Sequence, residues 1–288
     1  MVVQGNTADL HAKVCAVTGP TTGVGRELAR GLALQGATVY LLARPSERAT
    51  SVRDEISSLV PCERIRLVAC DLASLASVRS AAAQVLARTD RLDVLCNNAG
   101  AWYRQRELTV DGFERTFQVD HLGHYLLTEL LLERLLPARG RVIATTSAMH
   151  AIGRVAQLDD PQAERSWSGL RAYAFAKLCN VWHMQSLASR FGSRGLQAHS
   201  FHPGGVRTPF GRSTGGGMAW VFRLSWPFLT SPSSAARTGL QLAAADLSSA
   251  ANGSYWIRSR PATPAPVARN ANGPKRLDAL SRDLLGLR

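Results

Sequence analysis

Two residues one helical turn apart, Tyr173 and Lys177, could together move a proton. Their i, i+4 spacing places both side chains on one face of a helix. A tyrosine hydroxyl has an ordinary pKa of about 10 and is a poor base at neutral pH. A neighbouring ammonium favours the phenolate and lowers that pKa. Because the chain holds only three lysines among its 34 Lys and Arg residues, a lysine at this spacing predicts a tuned general acid or base.

A glycine-rich turn near the amino end of the chain could hold a diphosphate. The segment Thr18-Gly19-Pro20-Thr21-Thr22-Gly23-Val24-Gly25 follows a short apolar run and precedes a helical pattern. Glycines permit a tight turn and a close backbone approach, and the free N–H groups of the following helix end favour an anion. A purely structural turn is the alternative, but the strand–turn–helix context favours a nucleotide site.

Alternating strands and helices must position these residues. The predicted strands are Lys13–Thr18, Ala37–Ala43, Arg64–Cys70, Leu92–Cys96, Arg141–Thr146, Gln197–Phe201 and Ser254–Ile257. The predicted helices are Gly25–Gly36, Ser46–Val60, Ser74–Arg88, one within Leu108–Leu136, Tyr173–Phe191 and Pro232–Ala245. This alternation predicts βαβ units. We therefore expect a single-domain α/β fold, a Rossmann-type doubly wound parallel sheet of about seven strands with helices on both faces.

Further motifs follow in order, each at the end of a predicted strand or the start of a helix. They are Asp71-Leu72, Asn97-Asn98-Ala99-Gly100, Ser147, Tyr173-Ala-Phe-Ala-Lys177 and His202-Pro203-Gly204. Together with the glycine-rich turn, this series resembles the short-chain dehydrogenase/reductase superfamily over roughly residues 10 to 257. The stretch from Asp120 to Thr128 most resembles the retinol-dehydrogenase-type branch.

The resemblance implies an oxidoreductase acting on a carbonyl/alcohol pair. It implies that Tyr173 is the general acid or base, that Lys177 also holds the nicotinamide ribose, and that Ser147 hydrogen-bonds the reacting oxygen. The implied cofactor-binding residues are Gly19, Thr21, Thr22, Gly23, Val24, Gly25, Arg44, Asp71, Leu72, Asn98, Ala99, Gly100, Val119, Tyr173, Lys177, Pro203, Gly204, Val206 and Thr208.

One catalytic position departs from the family pattern, since Asp120 stands where the family carries asparagine. An ionised aspartate accepts hydrogen bonds but donates none. A protonated Asp120 could copy the amide, whereas an ionised one would compete for the charge of Lys177. The alternative function is therefore a cofactor-binding protein with weak or no turnover, a sensor or scaffold.

The end of the second predicted strand decides between the two nicotinamide dinucleotides. An acidic residue there would bind the ribose 2′-OH of NAD, whereas an arginine suits the 2′-phosphate of NADP. The sequence reads Leu41-Leu42-Ala43-Arg44, with no acid, so NADP(H) is preferred over NAD(H). Arg48 could assist, although a solvated helix residue is the simpler interpretation.

The substrate site is predicted over Tyr173, with a lid at about residues 204–230. Trp102 and Phe210 are its candidate walls, and the lid segment is rich in glycine and aromatic residues. Such a wall predicts an apolar substrate of retinoid, steroid or lipid-like shape, and mere packing of the lid is the alternative. Residues 1–257 are predicted as the NADP-binding domain and residues 258–288 as a basic tail with a short helix. The Pro-rich stretch Arg260–Ala268 is interpreted as a linker.

The net charge of +13 at first suggests an anionic partner such as nucleic acid or a membrane surface. The dinucleotide site gives part of that charge a small-molecule target, so no nucleic acid partner is expected, while peripheral membrane contact through the tail stays open. The histidines and five cysteines lack metal-ligand spacing, so no metal is expected. With no signal peptide or membrane span, a cytoplasmic protein is expected. A homodimer or homotetramer is implied only by the resemblance.

Overall fold

The computed structural model describes residues 9–206 and 229–287. Within them one sheet of eight strands has the order β3-β2-β1-β4-β5-β6-β7-β8. The strands are β1 Val14–Thr18, β2 Thr38–Ala43, β3 Ile65–Ala69, β4 Val94–Asn97, β5 Arg141–Thr145, β6 Gln197–His202, β7 Tyr255–Ile257 and β8 Arg260–Ala262. All neighbouring strands pair in parallel except β7 and β8, which are antiparallel. The predicted doubly wound parallel sheet is therefore confirmed, with one strand more than predicted.

Helices cover both faces of this sheet. They are α1 Gly23–Leu34, α2 Glu47–Ser57, α3 Leu75–Leu86, α4 Arg115–Phe117, α5 Gly123–Leu135, α6 Gly169–Phe191, α7 Pro232–Ala244 and α8 Gly273–Leu284. Short 3₁₀ turns lie at Cys62–Arg64, Ala148–Ile152, Val155–Asp159, Gly192–Arg194 and Pro266–Arg269. A π turn, Gln118–Leu122, joins α4 to α5. The long helix predicted within Leu108–Leu136 is therefore interrupted.

Alternate residues of each strand point into two separate cores, because successive side chains of a strand face opposite sides of the sheet. In β1, Cys15 and Val17 join the core with α1, α2 and α7, whereas Ala16 joins the core with α3, α5, α6 and α8. Burial on both faces explains why the strands are continuous apolar runs. The carboxyl ends of the parallel strands lie together at one edge of the sheet. The residues that follow these ends can therefore be polar.

The carboxy-terminal segment is part of the same body. Arg260–Ala262 pair with β7, so the interpretation of the Pro-rich stretch as a linker is wrong over these residues. Helix α8 packs on α6, where Leu277 is buried and Gly273 lies so close to Trp182 that a Cβ would approach its ring to 2.4 Å. The basic tail thus docks on its own chain.

Candidate active site

A cleft of ≈1320 Å³ opens at the carboxyl ends of the strands. It is lined by the predicted residues Gly19, Thr21, Thr22, Gly23, Val24, Gly25, Arg44, Asp71, Leu72, Asn98, Ala99, Gly100, Trp102, Val119, Ser147, Tyr173, Lys177, Pro203, Gly204 and Val206. Asp120 is fully buried and lies behind Lys177 rather than on the cleft wall. Thr208 and Phe210 lie outside the described residues. The flanks of the predicted lid meet, because Val206 and Thr230 form a parallel bridge.

The glycine-rich turn between β1 and α1 has the shape of an anion cradle. Gly19 and Gly23 have φ angles of +62° and +56°, a region that favours glycine. At Gly25 a Cβ would come within 2.2 Å of the Gly19 carbonyl oxygen and 2.3 Å of the Asn98 amide nitrogen. The first turn of α1 carries no acidic residue, so its free N–H groups present a positive end to the cleft. The turn therefore fits the diphosphate of a dinucleotide.

Hydrogen bonds from Thr18 and Asn98 fix this turn against the neighbouring strands. The Thr18 hydroxyl oxygen accepts the N–H groups of Asn98 and Ala99 at 2.9 and 3.0 Å. The Asn98 amide donates to the Thr18 carbonyl at 3.0 Å and accepts from the Thr145 hydroxyl at 3.1 Å. Asn98 thus joins the ends of β1, β4 and β5, a structural role that the motif alone did not reveal.

Tyr173 and Lys177 project together from α6 into the inner end of the cleft. The Lys177 ammonium nitrogen lies 5.3 Å from the centroid of the Tyr173 ring. The Trp102 ring stacks on the Tyr173 ring, with the two centroids 5.5 Å apart and an interplanar angle of 27°. The Ser147 hydroxyl hydrogen-bonds the Tyr173 side chain. Two polar groups and one aromatic wall therefore converge on the Tyr173 side chain, which is only 8% exposed.

The expected lowering of the Tyr173 pKa is wrong for the folded chain. Burial raises the pKa, Lys177 lowers it, Asp120 raises it again and the Ser147 hydrogen bond lowers it. The net direction is upward from the ordinary value of 10.0. Tyr173 is accordingly a protonated phenol at neutral pH, because desolvation and the nearby carboxylate outweigh the ammonium.

Asp120 forms a buried ion pair with Lys177. Its Oδ2 atom lies 2.8 Å from the Lys177 ammonium, and its Oδ1 atom accepts the Ala101 N–H at 2.8 Å. Burial raises the pKa of Asp120 above its ordinary value of 3.8, although Lys177 and the Ala101 N–H lower it in part. Burial lowers the pKa of Lys177, but Asp120 and Tyr173 raise it by a larger amount, so the pKa lies above its ordinary value. Because both carboxylate oxygens face donors, the geometry fits an ionised Asp120 beside a charged Lys177.

A neutral histidine connects the π turn to the glycine-rich turn. His124 Nδ1 lies 3.2 Å from the backbone carbonyl of Asp120, and its Nε2 lies 2.9 Å from the Thr18 hydroxyl. Burial lowers the pKa of His124 to about 4, so the ring is neutral at pH 7. When the ring is neutral and its Nδ1–H donates to the carbonyl, its Nε2 atom accepts a hydrogen bond from the Thr18 hydroxyl. The sequence showed His124 only as part of a family-like stretch, without this contact.

Ser147 is held from behind by a second histidine. His150 Nδ1 donates to the Ser147 carbonyl at 2.7 Å, and its Nε2 accepts the Ala265 N–H at 3.1 Å. Burial lowers the pKa of His150 and the bond to Ser147 partly opposes this. Since Ala265 belongs to the carboxy-terminal segment, that segment helps to position a predicted catalytic residue.

The far end of the cleft carries the predicted selector of the adenosine ribose. Arg44 follows β2 and lines the cleft with Ser46 and Arg48. The Ser46 hydroxyl accepts the Ala49 N–H at 3.2 Å and so caps α2. Asp71 lines the cleft after β3, and its Oδ1 accepts the Ala73 N–H at 3.0 Å.

Residues 9–206 and 229–287 hold no group of three or more His, Cys, Asp or Glu side chains that could bind a metal ion. In the same ranges no helix is both long and apolar enough to cross a membrane. The Asn252 amide, part of an Asn-Gly-Ser sequence, is engaged with the chain itself: it donates to the Leu196 carbonyl at 2.7 Å and accepts the Ala198 N–H at 2.8 Å.

Known proteins share this fold and sequence pattern. A family model described as short chain dehydrogenase matches residues 13–217. Human retinol dehydrogenase 11 is 36% identical over 283 residues, which are 98% of this chain and 88% of that protein. The crystal structure of an uncharacterised protein from Mycobacterium paratuberculosis has a TM-score of 0.77 and 28% identity, covering 98% of this chain and 96% of its own. A blue fluorescent protein from a metagenomic library, crystallised with NADPH, has a TM-score of 0.68 and 25% identity, covering 86% of this chain and 96% of its own.

Proposed function

Because the chain belongs to the short-chain dehydrogenase family, in the branch that includes the retinol dehydrogenases, we propose that it is an NADP(H)-dependent oxidoreductase. Its reaction interconverts a carbonyl and an alcohol on an apolar substrate. The observation that carries this proposal is the convergence of Tyr173, Lys177 and Ser147 in the cleft that also holds the glycine cradle. An acid, a cation and a hydroxyl donor beside a dinucleotide site match hydride transfer coupled to proton transfer.

The side chains divide the chemistry among themselves. A bound nicotinamide supplies or accepts the hydride. Tyr173, protonated at neutral pH, gives its proton to the substrate oxygen in the reducing direction. The Ser147 hydroxyl hydrogen-bonds the same oxygen and stabilises the charge that develops on it. Lys177 would bind the nicotinamide ribose hydroxyls, and its ammonium lies 2.8 Å from the Asp120 carboxylate.

The preference for NADP(H) rests on Arg44. It follows β2 where an acidic residue would otherwise bind a free ribose hydroxyl, and a guanidinium can bind a phosphate through two parallel hydrogen bonds. Arg44→Ala is expected to weaken NADPH binding by about tenfold or more while leaving NADH binding nearly unchanged. Arg53→Ala is the matched control, since Arg53 lies on α2, pairs with Asp54 at 2.6 Å and is not part of the cleft wall. Equal losses for NADPH and NADH in the Arg44 variant would argue against the assignment.

The proposed apolar substrate rests on the described walls near Tyr173. Trp102 stacks on the tyrosine, and Met149 and Leu170 line the same cleft. Burial of an apolar substrate against such walls contributes roughly 25 cal/mol for each Å² removed from water. A panel of long-chain, ring-containing and polar aldehydes and ketones tests this idea with NADPH. Turnover restricted to small polar sugars would refute it.

Asp120 supports one second candidate, a cofactor-binding protein without turnover. The Lys177 charge is partly engaged by the Asp120 carboxylate at 2.8 Å instead of being directed only at the ribose and the tyrosine. NADPH oxidation over the same panel separates the two functions, with Tyr173→Phe as the control for background. Tight NADPH binding with rates equal to those of the Tyr173 variant on every substrate would favour the second candidate.

A further inference from the structure

We propose that Asp120 opposes the effect of Lys177 on Tyr173 and thereby moves the pH dependence of carbonyl reduction and of alcohol oxidation toward higher pH. The inference rests on the proposed function, because it assumes that Tyr173 exchanges the proton. It assigns Asp120 as a positioning residue that acts through Lys177, since the carboxylate itself does not reach the cleft.

The geometry places a full negative charge where a neutral amide would stand in the family pattern. Asp120 is fully buried, its Oδ2 atom is 2.8 Å from the Lys177 ammonium, and its Oδ1 atom accepts the Ala101 N–H at 2.8 Å. Lys177 is 3% exposed, so water screens the pair little. A negative charge so close to the ammonium opposes part of the field that the ammonium exerts on Tyr173.

The pair packs closely against Gly100, where no side chain would fit. A Cβ on Gly100 would lie 2.7 Å from the Lys177 nitrogen and 3.0 Å from Asp120 Oδ2. The backbone of Asp120 is in the π turn, where His124 contacts its carbonyl at 3.2 Å. The carboxylate is therefore fixed between a glycine with no side chain and a lysine that approaches from α6.

The other polar groups around Tyr173 do not make up for the part of the field that Asp120 opposes. From α6 it faces Lys177, from the segment after β5 it faces the Ser147 hydroxyl, and from the segment after β4 it faces the Trp102 ring. Ser147 is uncharged at every working pH. A more distant group, Glu114, acts on the pair and raises the pKa of Asp120.

The two directions of the reaction require opposite protonation states of Tyr173. In reduction, hydride adds to the carbonyl carbon, the carbon–oxygen π bond opens, and the Tyr173 proton moves to that oxygen. The products are an alcohol and a tyrosine phenolate, which takes a proton back from water. In oxidation the phenolate must be present first, to accept the hydroxyl proton as hydride leaves the carbon. Burial and Asp120 both raise the pKa of Tyr173 above its ordinary value, so the phenolate is scarce at pH 7.

The pH profile of Asp120→Asn tests the proposal. Alcohol oxidation by the wild type is expected to rise with pH through an alkaline limb that reports the Tyr173 phenolate. In the variant that limb is expected about one pH unit lower, which is a roughly tenfold faster oxidation at pH 8. The alkaline decline of carbonyl reduction is expected to move down with it. Identical limbs in the two proteins would overturn the proposal.

Asp93→Asn is the matched control for this experiment. Asp93 also pairs with a lysine, since its Oδ1 atom lies 3.0 Å from the Lys13 ammonium, and its side chain is 7% exposed. It precedes β4 and so lies at the opposite edge of the sheet from Tyr173. Its loss is expected to leave both limbs in place. A shift of equal size in the control would show that general destabilisation, not the charge beside Lys177, moves the limb, and would also overturn the proposal.

A spectroscopic titration tests the same point without turnover. The absorbance of tyrosinate at 295 nm is recorded against pH for the wild type and for Tyr173→Phe, both without cofactor, and their difference isolates Tyr173. The difference curve is expected to have its midpoint above pH 10, and in Asp120→Asn at least about half a unit lower. A wild-type midpoint near neutral pH would overturn the inference, even if Asp120→Asn fails to fold. If no substrate is ever turned over, the proposed function fails while this titration still decides the charge of Tyr173.

Discussion

Replacing Lys177 with methionine is expected to destabilise the folded chain far more at pH 8 than at pH 5.5. The substitution keeps the volume of the side chain but removes the only cation that contacts Asp120 among the described residues. Asp120 is then a fully buried carboxylate whose remaining partner is the Ala101 N–H. Removing one member of a buried ion pair costs about 3–5 kcal/mol, because the other charge stays uncompensated.

In the Lys177 variant Asp120 can lose its charge by taking up a proton. The free energy of that protonation is an upper limit to the loss of stability. Holding a proton on a carboxyl with an ordinary pKa of 3.8 costs about 1.4 kcal/mol for each pH unit above that value. The limit is therefore about 2 kcal/mol at pH 5.5 and nearly 6 kcal/mol at pH 8. A carboxyl whose pKa is raised by folding stabilises the chain least at high pH, so the variant loses stability as pH rises. The expected loss is at most about 2 kcal/mol at pH 5.5 and about 3–5 kcal/mol at pH 8.

Urea unfolding followed by circular dichroism at the two pH values measures these losses. The double variant Asp120→Asn/Lys177→Met removes both charges and is expected to recover most of the stability at pH 8, because no buried charge is left. Asp93→Asn shows what the loss of a buried carboxylate elsewhere, paired with both Lys13 and Arg91, does at each pH. A single Lys177 variant within about 1 kcal/mol of the wild type at pH 8 would refute the reasoning, as would a double variant that is no more stable than the single one.

Three further outcomes follow from the same contacts. Gly25→Ala is expected to weaken NADPH binding by at least about tenfold in a fluorescence titration, because its Cβ would lie 2.2 Å from the Gly19 carbonyl oxygen; unchanged affinity would contradict the cradle. Burial lowers the pKa of His121 to about 3 and that of His124 to about 4, so each histidine favours folding only while it is neutral. Between pH 6.5 and pH 4 the free energy of unfolding of the wild type is therefore expected to fall by about 1.4 kcal/mol per pH unit for each of these histidines. Unfolding free energies that stay constant over this range would contradict this expectation. His150→Phe is expected to lower kcat about tenfold with little change in the Kd for NADPH, because Ser147 loses its support; equal losses in both would indicate global damage instead.

Much of the sheet could be predicted because its strands are buried on both faces and therefore appear as short apolar runs. The eighth strand could not. Arg260–Ala262 contains Pro261, which lacks an N–H and argues against a strand in the middle of a sheet. Here it pairs opposite Trp256 at the outer edge, where one unpaired side is tolerated. Edge position is a property of the assembled sheet and has no signal in the local sequence.

The site shows the same division between local and assembled properties. The i, i+4 spacing was enough to place Tyr173 and Lys177 on one face of a helix. The sign of the Tyr173 pKa shift was not predictable, because it depends on how completely the ring is buried and on the distance from Lys177 to Asp120. The π turn that carries Asp120 likewise follows an ordinary helical pattern in sequence, and π turns of this kind occur frequently at functional sites.

The contacts of Asp120 and His124 make the cradle and the proton donor one continuous structure. The Thr18 hydroxyl supports the glycine-rich turn through the N–H groups of Asn98 and Ala99, and it meets His124 on its other side. His124 holds the backbone of Asp120, and the Asp120 carboxylate holds Lys177 beneath the Tyr173 ring. Because each link is buried and hydrogen-bonded or ion-paired, a change in the π turn must displace either the diphosphate cradle or the lysine. Under the proposed function, an aspartate at this point would act on the protonation of the tyrosine and on the position of a bound dinucleotide through the same short chain of contacts.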